Sequence, residues 1–154
     1  LGGWGAHPEK DGPNGLAAGF HNGQNTPVEM IEALFPLRFV RYGLASGSGG
    51  AGKMRGGLGI VREWEFLAEA GLLNSAFDVF DTRPYGLDGG AEGAGGSLSV
   101  TRDGETVQLA AKTVGHPLKA GDVVRMQTPG GGGHGDPAAR APEAVAEDRA
   151  DGYV

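Results

Sequence analysis

The hydrophobic residues of this chain gather in short runs of two-residue period, separated by glycine, proline and Asp-Gly steps. In 37–45, Leu37, Phe39 and Arg41 alternate with Arg38, Val40 and Tyr42, which predicts a strand. Residues 60–67 predict a second, with Trp64 and Phe66 on one face and Glu63 and Glu65 on the other. The apolar run 77–80 predicts a short third strand. Residues 97–101 and 105–109 flank Arg102-Asp103-Gly104, and Asp-Gly between alternating runs signals a hairpin. Leu118 to Asp122 form a turn into another strand at 123–127. Thr26 as N-cap, Pro27 at the first helical position and Glu29 as a capping-box partner predict a short helix that Pro36 stops. Asp136-Pro137 and Ala141-Pro142-Glu143 start short helical pieces, and the polar tail ends its helix at Gly152. The fold class is β-rich α+β: five to seven mostly antiparallel strands with Gly-rich connections, a short helix near the N-terminal end and a C-terminal helix.

Between these elements lies an unusual amount of glycine: 31 of 154 residues. The densest stretch is Thr128-Pro129 followed by Gly130, Gly131, Gly132 and Gly133, then His134-Gly135-Asp136-Pro137. Four glycines in a row contribute no side-chain packing and weaken a helix or strand by about 1 kcal/mol each. Such a run suits backbone at positive φ, or backbone that something passes very closely. The organisation expected is a single unit over 1–154: loop plus short helix in 1–36, a β-rich body in 37–128, and a Gly-rich loop and tail helix in 129–154. The opening Leu1-Gly2-Gly3-Trp4-Gly5 lacks an initiator Met and any lead-in element. It reads as a fragment cut from a longer polypeptide.

A net charge of −6 argues against a nucleic-acid footprint. The absence of Cys removes disulfides, thiolate nucleophiles and Cys-ligated zinc. No apolar run approaches the length of a membrane span. The cytoplasm is the expected location.

Two glycine stretches invite a chemical reading. Gly47-Ser48-Gly49-Gly50-Ala51-Gly52-Lys53-Met54 meets the spacing of a P-loop, but Met54 stands where a Mg²⁺-binding hydroxyl belongs. Arg55-Gly56-Gly57-Leu58-Gly59 will not start the helix whose amides would face phosphate. A tight connection between two strands is the plainer reading, with Lys53 and Arg55 free to contact an anion or acidic surface. The run at 130–133 either lines a concavity with bare amides or lets chain segments cross closely. Among His7, His21, His116 and His134, His134-Gly135-Asp136 is the only local His/Asp pair, and a hydrogen-bonding role is favoured over metal ligation. His21 and Asn22 could join it from a distance. Trp4, Tyr85 and Tyr153 are interface anchors or, more simply, core residues.

An ordered set of segments resembles the C-terminal part of the hydantoinase B/oxoprolinase family. It comprises Gly2-Gly3-Trp4-Gly5-Ala6, Lys10-Asp11-Gly12, Asn25-Thr26-Pro27-Val28-Glu29 with Glu32, and Pro36-Leu37. It continues through 49–59, Pro84-Tyr85-Gly86-Leu87-Asp88-Gly89-Gly90, 118–125, 128–137 and Asp151-Gly152-Tyr153-Val154. The resemblance implies a B-type subunit of an ATP-dependent cyclic-amide hydrolase, N-methylhydantoinase or 5-oxoprolinase, that opens a hydantoin or 5-oxoproline ring. The alternatives are a subunit of an acetone/acetophenone-type carboxylase, or a structural docking module without its own chemistry.

The implied partners are an A-type subunit that handles ATP, the missing N-terminal part of the same chain, and a small lactam substrate, with no nucleic acid and no membrane. No cofactor is expected on this fragment; ATP belongs to the partner and a divalent metal to the upstream part. His134 departs from the family's usual Tyr, and the stretch around Asp81-Thr82-Arg83 is shortened. The residues placed nearest function are Lys53, Arg55, Gly131, Gly132, His134 and Asp136, none with an assigned catalytic step. No metal ligand and no catalytic residue is named.

Overall fold

The computed structural model of the chain describes residues 1–17 and 25–154. Its elements run α1 (Val28–Leu34), β1 (Leu37–Leu44), β2 (Ile60–Phe66), β3 (Ala70–Ala76), β4 (Ser97–Arg102), β5 (Glu105–Leu109), β6 (Lys112–Lys119), β7 (Val123–Gln127), a 3-10 turn at Pro137–Ala139, and α2 (Pro142–Ala150). Five strands form one sheet in the order β1-β2-β7-β4-β5, with every neighbouring pair antiparallel. β3 and β6 form a separate antiparallel ribbon. The strand-rich antiparallel fold with a helix toward each end is the one the alternating pattern predicts.

One face of the large sheet builds the core. Phe66, Leu98, Val100 and Val124 pack with Leu118 of β6, flanked by Trp64, Leu73, Phe77, Phe80 and Met126. The two-residue period of β2 turns Trp64 and Phe66 inward; on the opposite face Glu63 pairs with Arg125 across the strands. The β4–β5 hairpin turns through Asp103 and Gly104, whose φ angles of 52° and 82° are those a two-residue primed turn requires. Asp122, 1 % exposed, locks the β6–β7 turn by accepting two bonds from Arg102 (2.7 and 2.6 Å) and one from the Lys119 amide (2.8 Å).

Several local expectations fail, each for a physical reason. The apolar run 77–80 is not a strand: it is a bend after β3, in which Phe77 and Phe80 stack at 5.5 Å. β3 and β6 have no clear sequence signal because Gly71, Asn74, Gly115 and Pro117 interrupt them. Packing rescues the ribbon: Gly71 lies on the Phe66 ring, where a Cβ would come within 2.4 Å of the ring carbon Cζ. Pro27, not Thr26, occupies the N-cap of α1, and no side chain caps that helix. Glu32 instead accepts the Phe39 amide of β1 at 2.5 Å.

The topology sends three glycine-rich segments out of one end of the large sheet. Residues 45–59 leave β1 and return into β2, 84–96 lead into β4, and 128–135 leave β7; Leu44 pairs with Ile60, and both Val61 and Ser97 pair with Gln127, so all three share that end. Residues 1–16 run across the same end, with the Gly3 amide on the Pro129 carbonyl at 2.9 Å and the Ala6 amide on Gly132 at 2.9 Å. There the chain forms a layer of extended backbone with few regular strand pairings.

Residues 130–133 form the axis of that layer. None of the four glycines has a positive φ. A Cβ on Gly130 would lie 1.9 Å from the Ser48 carbonyl oxygen, on Gly131 1.8 Å from that of Trp4, on Gly132 1.9 Å from that of Tyr85, and on Gly133 2.2 Å from that of Ala51. The first and fourth glycines face the same neighbour, 48–51, and the two between face other segments. A three-residue period is that of polyproline II, and glycine at a crowded axis is the collagen solution to the same problem. Close passage, and not unusual φ, therefore explains the run.

This geometry makes a sharp contrast testable. Gly131→Ala must displace the Trp4–Gly5 backbone and is expected to destabilise the fold by at least about 3 kcal/mol. Gly43→Ala in β1, where a Cβ meets nothing within 4 Å, is expected to change stability by under about 1 kcal/mol. Urea unfolding midpoints of the two variants, compared at equal m-value, read the difference.

Candidate functional site

Lys53, Arg55, Gly131, Gly132, His134 and Asp136 all lie on or beside the glycine layer, but in different roles. The Gly131 amide donates to the Gly57 carbonyl at 2.8 Å, and its own carbonyl accepts the Gly50 amide at 2.8 Å. The amides of Gly130 and Gly133 are likewise held, by Ala94 at 3.0 Å and Ala91 at 2.9 Å. All four glycines are buried. The amides at 130, 131 and 133 thus serve neighbouring segments and not an open concavity.

The P-loop-like stretch behaves the same way. No helix follows Lys53; its amide binds the Gly135 carbonyl at 3.1 Å, and the Met54 amide binds that of His134 at 3.0 Å. Lys53 itself is exposed, with its stem against Gly135. The stretch links β1 to β2 as expected, and in doing so supplies two segments of the layer.

His134 sits at a crossing, bridged by its backbone to Met54 on one side and Leu87 on the other. Its Nε2 lies 3.0 Å from Oδ2 of Asp88, not of Asp136. Asp136 is exposed and caps the 3-10 turn, accepting the Ala138 amide at 2.9 Å. Tyr85 and Leu87 on the adjoining loop stand well out, at 78 % and 53 % exposure, so the core reading fails for Tyr85. His21 and Asn22 lie outside the described residues. Among the described residues no three His, Cys, Asp or Glu side chains converge as metal ligands.

Arg55 is the candidate with a built environment. It is 6 % exposed and reaches across the layer to the C-terminal helix. Its Nε donates to Asp148 at 3.1 Å, while one terminal nitrogen donates to the Gly56 carbonyl at 2.7 Å and to Asn14 at 3.2 Å. The guanidinium also stacks on Tyr153, 4.8 Å from its ring centre. Asp148 takes a second arginine, Arg140, at 3.0 and 2.8 Å. Arg140 in turn grips Asp11 through two bonds of 2.8 Å, and Asp11 accepts the Arg55 amide at 2.6 Å.

Two arginines and two aspartates thus alternate in a closed, charge-balanced chain. It ties the N-terminal segment, the glycine layer and α2 together. Asp11 belongs to the Lys10-Asp11-Gly12 segment of the family resemblance, whereas nothing in the sequence flags Arg140 or Asp148. Their other partners, Asp11 and Arg55, lie far along the chain.

Burial pushes the Asp11 carboxyl up, but hydrogen bonds from Arg140 and the Arg55 amide, with both positive charges, hold it below its ordinary value. The Arg102 bond does the same for Asp122, against burial. Both groups have depressed folded-state values, so they bind protons more readily when unfolded. Their stabilisation is present above the unfolded value of about 4 and is lost as pH falls through the folded one. Urea midpoints are expected to decline below about pH 4, less steeply in Asp11→Asn. Asp148→Asn leaves Arg55 buried without its countercharge, and a loss of about 3–5 kcal/mol is expected in the same measurement at neutral pH.

With the site described, comparison with known proteins gives a consistent answer. The hydantoinase B/oxoprolinase family profile matches residues 1–137. The B-type subunit of a putative D-/L-hydantoinase from Pseudomonas sp. (strain NS671) is 39 % identical over 99 % of this chain, which spans 26 % of that protein. The crystal structure of the ATP-dependent caprolactamase from Pseudomonas jessenii superposes with a TM-score of 0.80 at 26 % identity, covering 99 % of this chain and 28 % of its own. Nucleotide-free acetone carboxylase shares the fold, with a TM-score of 0.83 at 24 % identity over 99 % of this chain and 25 % of its own. The chain thus spans about a quarter of the length of each of these proteins. It belongs to the hydantoinase B/oxoprolinase family.

Proposed function

We propose that this chain is the C-terminal part of the B-type subunit of an ATP-dependent cyclic-amide hydrolase, of N-methylhydantoinase or 5-oxoprolinase type. The observation that carries this is the end-to-end similarity to the B-type hydantoinase polypeptide, 39 % identical over 99 % of the chain. A lactam amide is a poor electrophile, and phosphorylating its oxygen makes it a good one. The activated intermediate then needs shelter from bulk water. In this reading an A-type subunit supplies the ATP chemistry, and the part of the polypeptide upstream of these residues supplies the metal. The described residues offer no convergent ligand set for a metal ion, so no step is assigned to one here.

The contribution of these residues is architectural. The glycine layer and the Arg55–Asp148–Arg140–Asp11 chain give a stiff body, whose exposed Tyr85, Leu87 and Trp4 are presented from neighbouring segments. Tyr85 and Trp4 are residue types that anchor protein interfaces. A second reading, the carboxylase branch, is favoured by the shared fold with acetone carboxylase.

Co-expression of the natural polypeptide carrying this chain with its cognate A-type subunit separates the two. The expected result is ADP formation matched by ring opening of 5-oxoproline or a hydantoin. ATP turnover driven by acetone and bicarbonate, with no lactam opened, would replace the first reading with the second. Tyr85→Ala is expected to weaken association of the two polypeptides about tenfold or more, read by sedimentation, without changing the unfolding midpoint.

A further inference from the structure

The buried Arg55 and the half-buried Arg102, Arg125 and Arg140 each hold a carboxylate. Arg62, half-buried at the centre of β2, does not. Its terminal nitrogen donates to the Asn25 side-chain oxygen at 2.7 Å and to the Tyr42 hydroxyl at 2.8 Å. Its guanidinium lies over the Tyr42 ring at 4.5 Å. Its Nε is the buried side-chain nitrogen that has no hydrogen-bond partner among the described residues. The seven residues outside the described set, Ala18 to Gln24, contain no Asp or Glu.

Two concavities share this arginine, and a third lies beside them. One of about 220 Å³ is walled by Val28, Ile31, Phe39 and Tyr42, with Asn25, Thr26 and Arg62 as its polar members. A second, of about 220 Å³, shares Arg62 and is lined by Ile60 and Met126. A third, of about 300 Å³, shares Tyr42 and Ile60. The apolar and aromatic walls lower the local dielectric, which strengthens any charge pair formed inside. A guanidinium N–H is a charge-assisted hydrogen-bond donor to a carboxylate as well as its countercharge. The Tyr42 ring and hydroxyl hold the fork in place, so little entropy is lost on pairing. An Arg charge set among aromatic walls, with neutral partners only, is an incomplete ion pair.

We propose that Arg62 is the anchor of a carboxylate-binding cleft between β2, β1 and α1. The carboxylate comes either from a small molecule or from an Asp or Glu side chain of a longer polypeptide carrying this chain. Both sources use the same chemistry: a carboxylate oxygen on the second terminal nitrogen of Arg62, which no described residue engages, with the carbon skeleton against Phe39, Tyr42 and Ile31.

The test uses the natural polypeptide that carries this chain, with sodium benzoate as the probe and benzamide as its neutral counterpart. Calorimetry is expected to show benzoate binding that Arg62→Gln weakens about ten- to a hundredfold, with no benzamide binding. Tyr42→Phe, which frees the fork without removing its charge, is expected to weaken benzoate binding to a smaller extent and covers the case of an unfolded Arg62 variant. If benzoate does not bind but a crystal structure of that polypeptide shows an Asp or Glu oxygen within about 3.2 Å of the Arg62 guanidinium, the side-chain source is established. Benzoate binding undiminished in Arg62→Gln overturns the proposal. So does the absence of both benzoate binding and a carboxylate on Arg62.

Discussion

Backbone packed directly on backbone around residues 130–133 is the constraint on which the rest of this structure depends. Four carbonyls from three other segments stand where Cβ atoms would otherwise be. A layer built this way has almost no side chains to bury, so the hydrophobic effect contributes little to it. Its cohesion comes from interlocking amide–carbonyl bonds, each worth about 1 kcal/mol net, and from dense van der Waals contact. Such a layer tolerates neither looseness nor added volume. That explains why glycine is concentrated in the connections and is sparse in the strands of the large sheet.

Because the layer has little hydrophobic adhesion of its own, its boundaries matter. On one side, the ends of β1, β2, β4 and β7 fix where its segments begin. On the other, the Arg55–Asp148–Arg140–Asp11 chain fastens α2 and the N-terminal segment to it. Buried ion pairs are weak sources of net stability, since desolvation offsets much of the attraction. Their value here is in register. Asp148 is met by two arginines from different segments, so α2 fits in one position only. The Tyr153 carbonyl, which accepts the Gly47 amide at 2.8 Å, completes that attachment.

The same economy separates structure from recognition. Side chains with charge are used inside the molecule wherever a carboxylate and an arginine meet, and Arg62 is the half-buried exception. Meanwhile large apolar groups remain outside: Met30, Leu34 and Phe35 of the α1 region are 56–69 % exposed, and α1 buries no residue at all. A helix of seven residues is too short to be stable from its own hydrogen bonds, so its place beside β1 depends on contacts such as Glu32 with the Phe39 amide. The Arg62 cleft lies between that helix and the sheet.

The sequence by itself determined the strands that alternate cleanly, β1, β2, β4, β5 and β7, because a two-residue period is a local property that needs no partner to be read. It also determined the β4–β5 turn, where Asp103-Gly104 meets a strict backbone requirement. The ordered glycine segments were legible as a family pattern before any geometry was known. Only the tertiary structure decided the β3–β6 ribbon, whose interrupted pattern is rescued by Gly71 on the Phe66 ring. It alone decided that Tyr85 faces outward, that His134 meets Asp88, and that Arg55, Arg140, Asp11 and Asp148 form one chain. Those contacts join residues up to 129 positions apart. A charge carries no mark of which distant charge it will meet, whereas a glycine in the layer marks only that something must come close.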